Sequence, residues 1–244
     1  MPVLGVTGAV ALWWSATAVF GIRPFFLPAP PDIVTAFRAQ PSYLLHEAGV
    51  TLTETVVGFA VAVVAGMALA VALTAWHTLE RAALPVLVAL NSVPKVAMAP
   101  LLVVWLGFGL RPKVVLVVLI CFFPVVVATM AGITSTPAEL GELSRSLSAS
   151  FWQAYLKIRL PWALPQVFVG LKVAVSLAVI GAVVAEISNP SGGLGAVIVL
   201  SGMSFDTPLA FAAIVLLALL STTLFYLVVA LERLVVPWAR AITA

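Results

Sequence analysis

Residues 142–161 read ELSRSLSASFWQAYLKIRLP, the most polar long stretch in a chain that is 63% hydrophobic and 9% charged. It lies between two long apolar runs, so its side of a membrane sets the threading of everything else. The stretch divides in two. Residues 142–147 have helical character, and Ser148, Ala149 and Ser150 form a break of small residues. Ser150 followed by Gln153 fits a capping box: the serine hydroxyl accepts from an early helical N–H, and the glutamine accepts from the serine's own N–H. The second helix sets Phe151, Tyr155 and Ile158 along one face, and Pro161 is expected to stop it. The predicted product is a helix-turn-helix that presents an aromatic face outside the bilayer. An amphipathic hairpin lying on the headgroups fits the same pattern.

Working outward, the 244 residues carry 12 basic and 9 acidic side chains, and the mean hydropathy is +1.21. That is too much apolar surface for a soluble globule of this size. A bilayer core of about 30 Å needs roughly 20 apolar residues per helix. The runs 1–22, 56–79, 96–110 with an extension from 82, 114–138 and 207–231 meet that length, and 160–185 does so with Lys172 snorkelling from it. Six transmembrane helices are therefore expected in an all-α membrane protein, with residues 1–244 as a single domain. Uniform apolar blocks rather than alternating polarity exclude a β-barrel. No Lys or Arg precedes the first apolar run, so it reads as a retained helix rather than a secretory signal.

With both termini cytoplasmic, the inner loops carry Arg81, Arg145, Lys157, Arg159, Arg233 and Arg240, against Arg23, Arg38, Arg111 and Lys113 outside. This positive-inside bias places 142–161 in the cytoplasm. Asp32 and Ser42 are expected to cap two short interfacial helices in the outer segment 23–54. Residues 188–208 contain Gly192, Gly193 and Gly195 beside an apolar piece too short to cross; a re-entrant or interfacial helix and a plain outer loop fit equally.

The chemistry-bearing motifs are few. There is no phosphate-binding loop, HExxH or GxSxG. His46 and His77 are far apart, each near a predicted membrane boundary, and the single Cys121 permits neither an intrachain disulfide nor a cysteine metal site. The net charge of +3 is scattered, which argues against nucleic-acid binding. Lys95, between Pro94 and Pro100, is an ionisable group inside an apolar region; it reads either as lining a wet pathway in a broken helix or as snorkelling to an interface. Asn91 beside it could satisfy freed backbone or bond between helices. Three readings fit Glu186: pairing with Lys95, guarding an outer gate, or marking a helix end. Glu54 reads as a helix end at the headgroups.

The 142–161 stretch resembles the EAA loop of the permease subunits of bacterial ATP-binding-cassette importers. Glu142 takes the Glu position, Ile158 the Ile, and Leu160 and Pro161 the final pair, at the family's spacing; Leu143 and Ser144 replace two alanines and Ser148 the glycine. The resemblance covers about 28–234, and residues 91–133, 144–187 and the later GGLGAVIV at 192–199 look like the nitrate, sulfonate and taurine branch. It implies a type I importer-like permease fold in a bacterial inner or plasma membrane. It also implies a second copy of the chain, two ATPase subunits that hold the ATP and Mg²⁺, and a periplasmic or lipid-anchored solute-binding protein. The coupling loop would span 138–162, with Glu142 meeting a basic residue of the ATPase, Ser148 and Ser150 shaping the break, and Phe151, Trp152 and Tyr155 supplying anchor area. The implied solute is small and anionic or polar. No cofactor and no enzymatic activity are expected of the chain itself. A secondary transporter or channel working without an ATPase is the competing expectation; it would place more ionisable groups at mid-membrane.

Overall fold

The computed structural model describes residues 2–75 and 77–238. The side chains of His77, Arg81, Arg145 and Phe151, and all of Arg240, lie outside the described residues. The elements are α1 (Pro2–Val19), α2 (Pro30–Ala39), α3 (Pro41–Thr74), α4 (His77–Asn91), α5 (Ala99–Leu106), α6 (Leu110–Thr134), α7 (Ala138–Ser146), α8 (Phe151–Ala154), α9 (Leu160–Ser188), α10 (Leu194–Met203) and α11 (Thr207–Val235). Among the described residues there is no strand.

Four helical stretches are long and apolar enough to cross a membrane: α3, α6, the continuous run Trp152–Ser188, and α11. The pair Pro85–Asn91 and Lys95–Leu106, bent by 66°, brings the number to five. The expected sixth, over 1–22, is the helix α1 of 18 residues, about 27 Å long and so at the short limit for a span. The count of six is thus not reached by length and composition among the described residues.

Three helices form the centre. Along α3 the buried residues Thr51, Thr55, Gly58, Ala62, Gly66, Ala70 and Thr74 recur every three or four positions and make one stripe of small side chains. The stripe lets α6 approach closely, which is how helices associate where lipid supplies no hydrophobic drive. A Cβ on Gly58 would lie 2.5 Å from Val117, and one on Gly66 2.9 Å from Val125. From α9, a Cβ on Gly170 would overlap the Ala128 Cβ of α6. Ala62, Val117, Cys121, Val125, Ala174, Ala178 and Ala182 fill the space between. Cys121 is a packing residue, its thiol donating to the Ala174 carbonyl at 3.2 Å.

Two boundaries differ from the sequence reading. α3 starts at Pro41 rather than 56, because its first turns are amphipathic and bury Leu44, Thr51 and Glu54 within the protein. Asp32 sits at the third position of α2 and accepts from the Ala29 N–H at 2.9 Å, and Ser42 follows the Pro41 that opens α3, so neither occupies the capping position assigned to it. Lys172 does not snorkel: it pairs with Glu232 of α11 at 3.0 Å, both half-buried.

Candidate functional site

Residues 138–161 lie at one end of the bundle, here the loop end. α7 closes at Ser146, and Ser148 then adopts a left-handed φ of 52°. This conformation costs an L-residue energy and suits glycine, which gives a physical reason for a small residue at this position. Ala149 N–H returns to the Ser144 carbonyl at 3.0 Å, fixing the turn. Ser150 N–H donates to Gln153 Oε1 at 2.9 Å and Gln153 N–H to Ser150 Oγ at 3.3 Å, the expected capping box.

Beyond the cap the structure departs from expectation. Pro161 lacks an N–H, so an unbroken α-helix would leave the Lys157 carbonyl without its donor. Instead Tyr155–Arg159 widen into a π-helical segment, in which the Leu160 N–H reaches back five residues to the Tyr155 carbonyl. A π-turn absorbs such a misfit without ending the helix. Leu160 and Pro161 are therefore not a stop, and the loop helix and α9 run on as Trp152–Ser188.

The aromatic face also divides. Tyr155 is 2% exposed; its hydroxyl bonds Thr74 Oγ1 and donates to the Val71 carbonyl of α3 at 3.3 Å. It packs with Ile133, Ala163 and Val167, so it anchors the loop to its own bundle and offers no surface to a partner. Ile158 is half-buried. Trp152 remains 63% exposed, beside Leu143, Leu147 and Leu156 at 53%, 72% and 55%. Glu142, Ser148 and Ser150 are exposed too. The outward apolar surface is built from Trp152 and three leucines that pattern reading passed over. Between α7 and the second helix lies a cleft of about 490 Å³ lined by Leu140, Ser144, Tyr155 and Ile158 among others.

Lys95 opens a 3-10 turn, Lys95–Met98, at the break between α4 and α5, as the flanking prolines predict. Its ammonium donates to Asn91 Oδ1 and stands 5.8 Å from the centre of the Phe123 ring.

Glu186 is engaged elsewhere. At the end of the bundle opposite the loop, Glu186 is fully buried, while Glu54 and Lys113 are each 2% exposed. Lys113 Nζ donates to Glu54 Oε1 and to the Gly192 carbonyl, both at 2.8 Å. Glu186 accepts from Thr51 Oγ1 and from the Gly195 N–H, both at 2.7 Å. The Leu194 N–H donates to Thr51 at 2.8 Å, and the Gly193 N–H to Glu47. Lys113 lies in the first turn of α6, the unfavourable end of a helix dipole for a cation, so the Glu54 partnership compensates for its place. Pattern reading missed this group because it scored Glu54, Lys113 and Glu186 one at a time. Alternating threading puts all three at the same end, and that was the available signal. Among the described residues no group of three or more His, Cys, Asp or Glu is arranged to hold a metal ion.

The family profile described as "Binding-protein-dependent transport system inner membrane component" matches residues 51–240. The chain belongs to that family. It is a permease of the ABC transport class, an all-helical, multi-pass inner-membrane protein and not an enzyme. The permease is 38% identical over 243 residues to the riboflavin transport system permease protein of Chloroflexus aurantiacus, covering 97% of this chain and 91% of that one. It is 34% identical to the formylaminopyrimidine transport permease protein of Halalkalibacterium halodurans, covering 98% and 96%. A putative aliphatic sulfonates transport permease protein of Bacillus subtilis shares 30%, covering 95% and 85%. Among solved structures, an inward-facing MetNI methionine ABC transporter superposes with a TM-score of 0.71 at 22% identity, covering 80% of this chain and 98% of that one; the likeness is one of fold.

Proposed function

We propose that the permease is the transmembrane subunit of an ATP-driven importer that works as a pair of identical copies with two cytoplasmic ATPase subunits and a solute-binding protein. The observation that carries this reading is the loop end. Trp152 and Leu156 are exposed apolar side chains on a helix continuous with a span, and Leu143 and Leu147 of α7 and the turn after it are exposed at the same end. Such a surface marks a protein or membrane contact, and a rigid connection passes displacement into the bundle. Glu142 flanks it as a charged partner for a basic residue of the ATPase. Ser148, Ser150 and Gln153 hold the turn, while Tyr155, Ile158, Leu160 and Pro161 seat it.

Lys95 and Asn91 line the solute pathway on this reading. A half-exposed cation on a broken span belongs against a wet cavity rather than lipid. The solute is a small polar or anionic molecule such as nitrate, a sulfonate or taurine; the relatives named for riboflavin and formylaminopyrimidine extend the choice to polar heterocycles. Both termini are cytoplasmic, and residues 1–244 act as one transmembrane unit.

The test is affinity capture of the tagged permease from membranes in mild detergent, with mass spectrometry of what accompanies it. An ATPase bearing a phosphate-binding loop is expected, and Lys95→Ala should depress uptake while leaving that assembly intact. Recovery of the chain alone under several detergents, with ion-coupled uptake, would overturn the reading.

A further inference from the structure

The GGLG turn at 192–195 and the buried charges beside it are not used by the coupling loop or the pathway. Three successive backbone donors at the start of α10, on Gly193, Leu194 and Gly195, are each taken by a side chain of the central bundle: Glu47 and Thr51 of α3, and Glu186 of α9. From α6, Lys113 holds the Gly192 carbonyl and Glu54 together. The fit is close enough to dictate the glycines. A Cβ on Gly193, whose φ is 99°, would overlap Glu186 Oε1, and one on Gly195 would lie 2.8 Å from Glu186 Oε2.

The charges depend on one another. Two carboxylates, Glu54 and Glu186, and one ammonium, Lys113, are withdrawn from solvent, and the positive N-terminal end of α10 supplies part of the balance. Were α10 to swing out alone, Glu186 would lose the Gly195 N–H, Thr51 the Leu194 N–H and Lys113 the Gly192 carbonyl together. Nothing in a hydrocarbon surrounding replaces them. The body of α10 meanwhile buries Leu194 and Val197 with Ile33 of α2, Leu44 of α3, and Ala212 and Ala213 of α11. α10 is thus held by polar bonds to the three-helix centre and by apolar packing against α2, α11 and Leu44 of α3.

We propose that Glu186, Lys113, Glu54 and Thr51 are positioning residues that weld α10 to α3, α6 and α9, so that α10 travels with them through the transport cycle and does not open as a separate gate. The common motion rests on the importer reading; the weld itself does not.

The test uses the full permease with its co-expressed partners in native membranes, Cys121→Ala throughout, and a membrane-permeant maleimide. Ser201→Cys reports on α10 and Ala174→Cys on the centre; both native side chains are buried. The Ser201→Cys probe should stay protected at rest and after ATP-vanadate trapping. Adding Lys113→Met or Thr51→Val should raise its labelling at least tenfold while Ala174→Cys stays protected, and Lys113→Met with Glu54→Gln should restore much of the protection. If Lys113→Met does not accumulate, Thr51→Val gives the same reading with no charge disturbed. Labelling of Ser201→Cys in the trapped wild-type background overturns the common motion. Continued protection in Thr51→Val overturns the weld. Absence of any vanadate trapping counts against the ATPase reading, and the labelling of the resting chain still decides the weld.

Discussion

The two ends of the bundle use opposite means to hold a helix in place. At the end opposite the loop, buried charges and backbone donors pair with one another inside the chain, Glu54 Oε2 alone of the carboxylate oxygens of Glu54 and Glu186 being left without a hydrogen-bond partner. At the loop end Tyr155 is seated under α3, and exposed apolar side chains, Trp152 and three leucines, stand among exposed polar ones. One end is bonded mainly to itself; the other leaves apolar side chains uncovered. The difference teaches that the permease keeps its internal register at one pole and leaves its contact surface at the other.

The largest expected effect lies at the end opposite the loop. Lys113→Met leaves two buried carboxylates without their cation and should cost about 3–5 kcal/mol, read as a fall in the unfolding temperature of the detergent-solubilised permease. Lys113→Met with Glu54→Gln should recover most of it, because the uncompensated charge is removed. Equal losses in the single and double variants would break the contrast between the ends.

Next come the two aromatics of the loop. Trp152→Ala should leave the stability of the permease nearly unchanged and weaken ATPase capture by roughly 2 kcal/mol, the scale of a buried interface anchor. Tyr155→Phe should do the reverse, lowering stability by about 1–2 kcal/mol through the lost bonds to Thr74 and Val71. Denaturation and capture measured side by side check the crossing; if both variants shift the same quantity, the division between inward and outward aromatics fails.

Smaller effects sharpen the picture. Ser148→Gly should stabilise the turn by roughly 0.5–1 kcal/mol, since glycine carries no penalty at a left-handed φ, whereas Ser148→Val should destabilise it. Lys172→Met should cost under about 1 kcal/mol, because its pair with Glu232 is partly open to its surroundings. Both are within reach of thermal unfolding in detergent.

Much of this was legible in the sequence. The apolar runs gave four of the six expected spans, the prolines around Lys95 gave the broken helix, and Ser150 with Gln153 gave the capping box. What escaped has physical causes. A helix met by Pro161 reads as finished, because proline patterning signals a stop and carries no sign of the widened turn that accommodates the ring. Tyr155 and Trp152 are equivalent as aromatic residues, and what separates them is distant in the chain, Thr74 lying 81 positions from Tyr155. The charges of Glu54, Lys113 and Glu186 look like membrane-edge residues individually, and their cluster exists only once α3, α6, α9 and α10 are assembled. The short α1 marks the limit of composition alone, since an apolar run of bilayer length does not state how much of it becomes helix.

The widened turn at Tyr155–Arg159 has a geometric corollary. A π-turn is in effect one residue more than the α-helical repeat allows, so it sets the rotational phase of the loop helix relative to α9. Removing a single residue there would restore the regular repeat with the two flanking helices nearly in phase, whereas removing one from an α-helical turn beside it would rotate the segment bearing Trp152 by about 100° about the axis. A one-residue deletion is therefore absorbed at the widened turn and is a change of azimuth in the regular turns on either side of it.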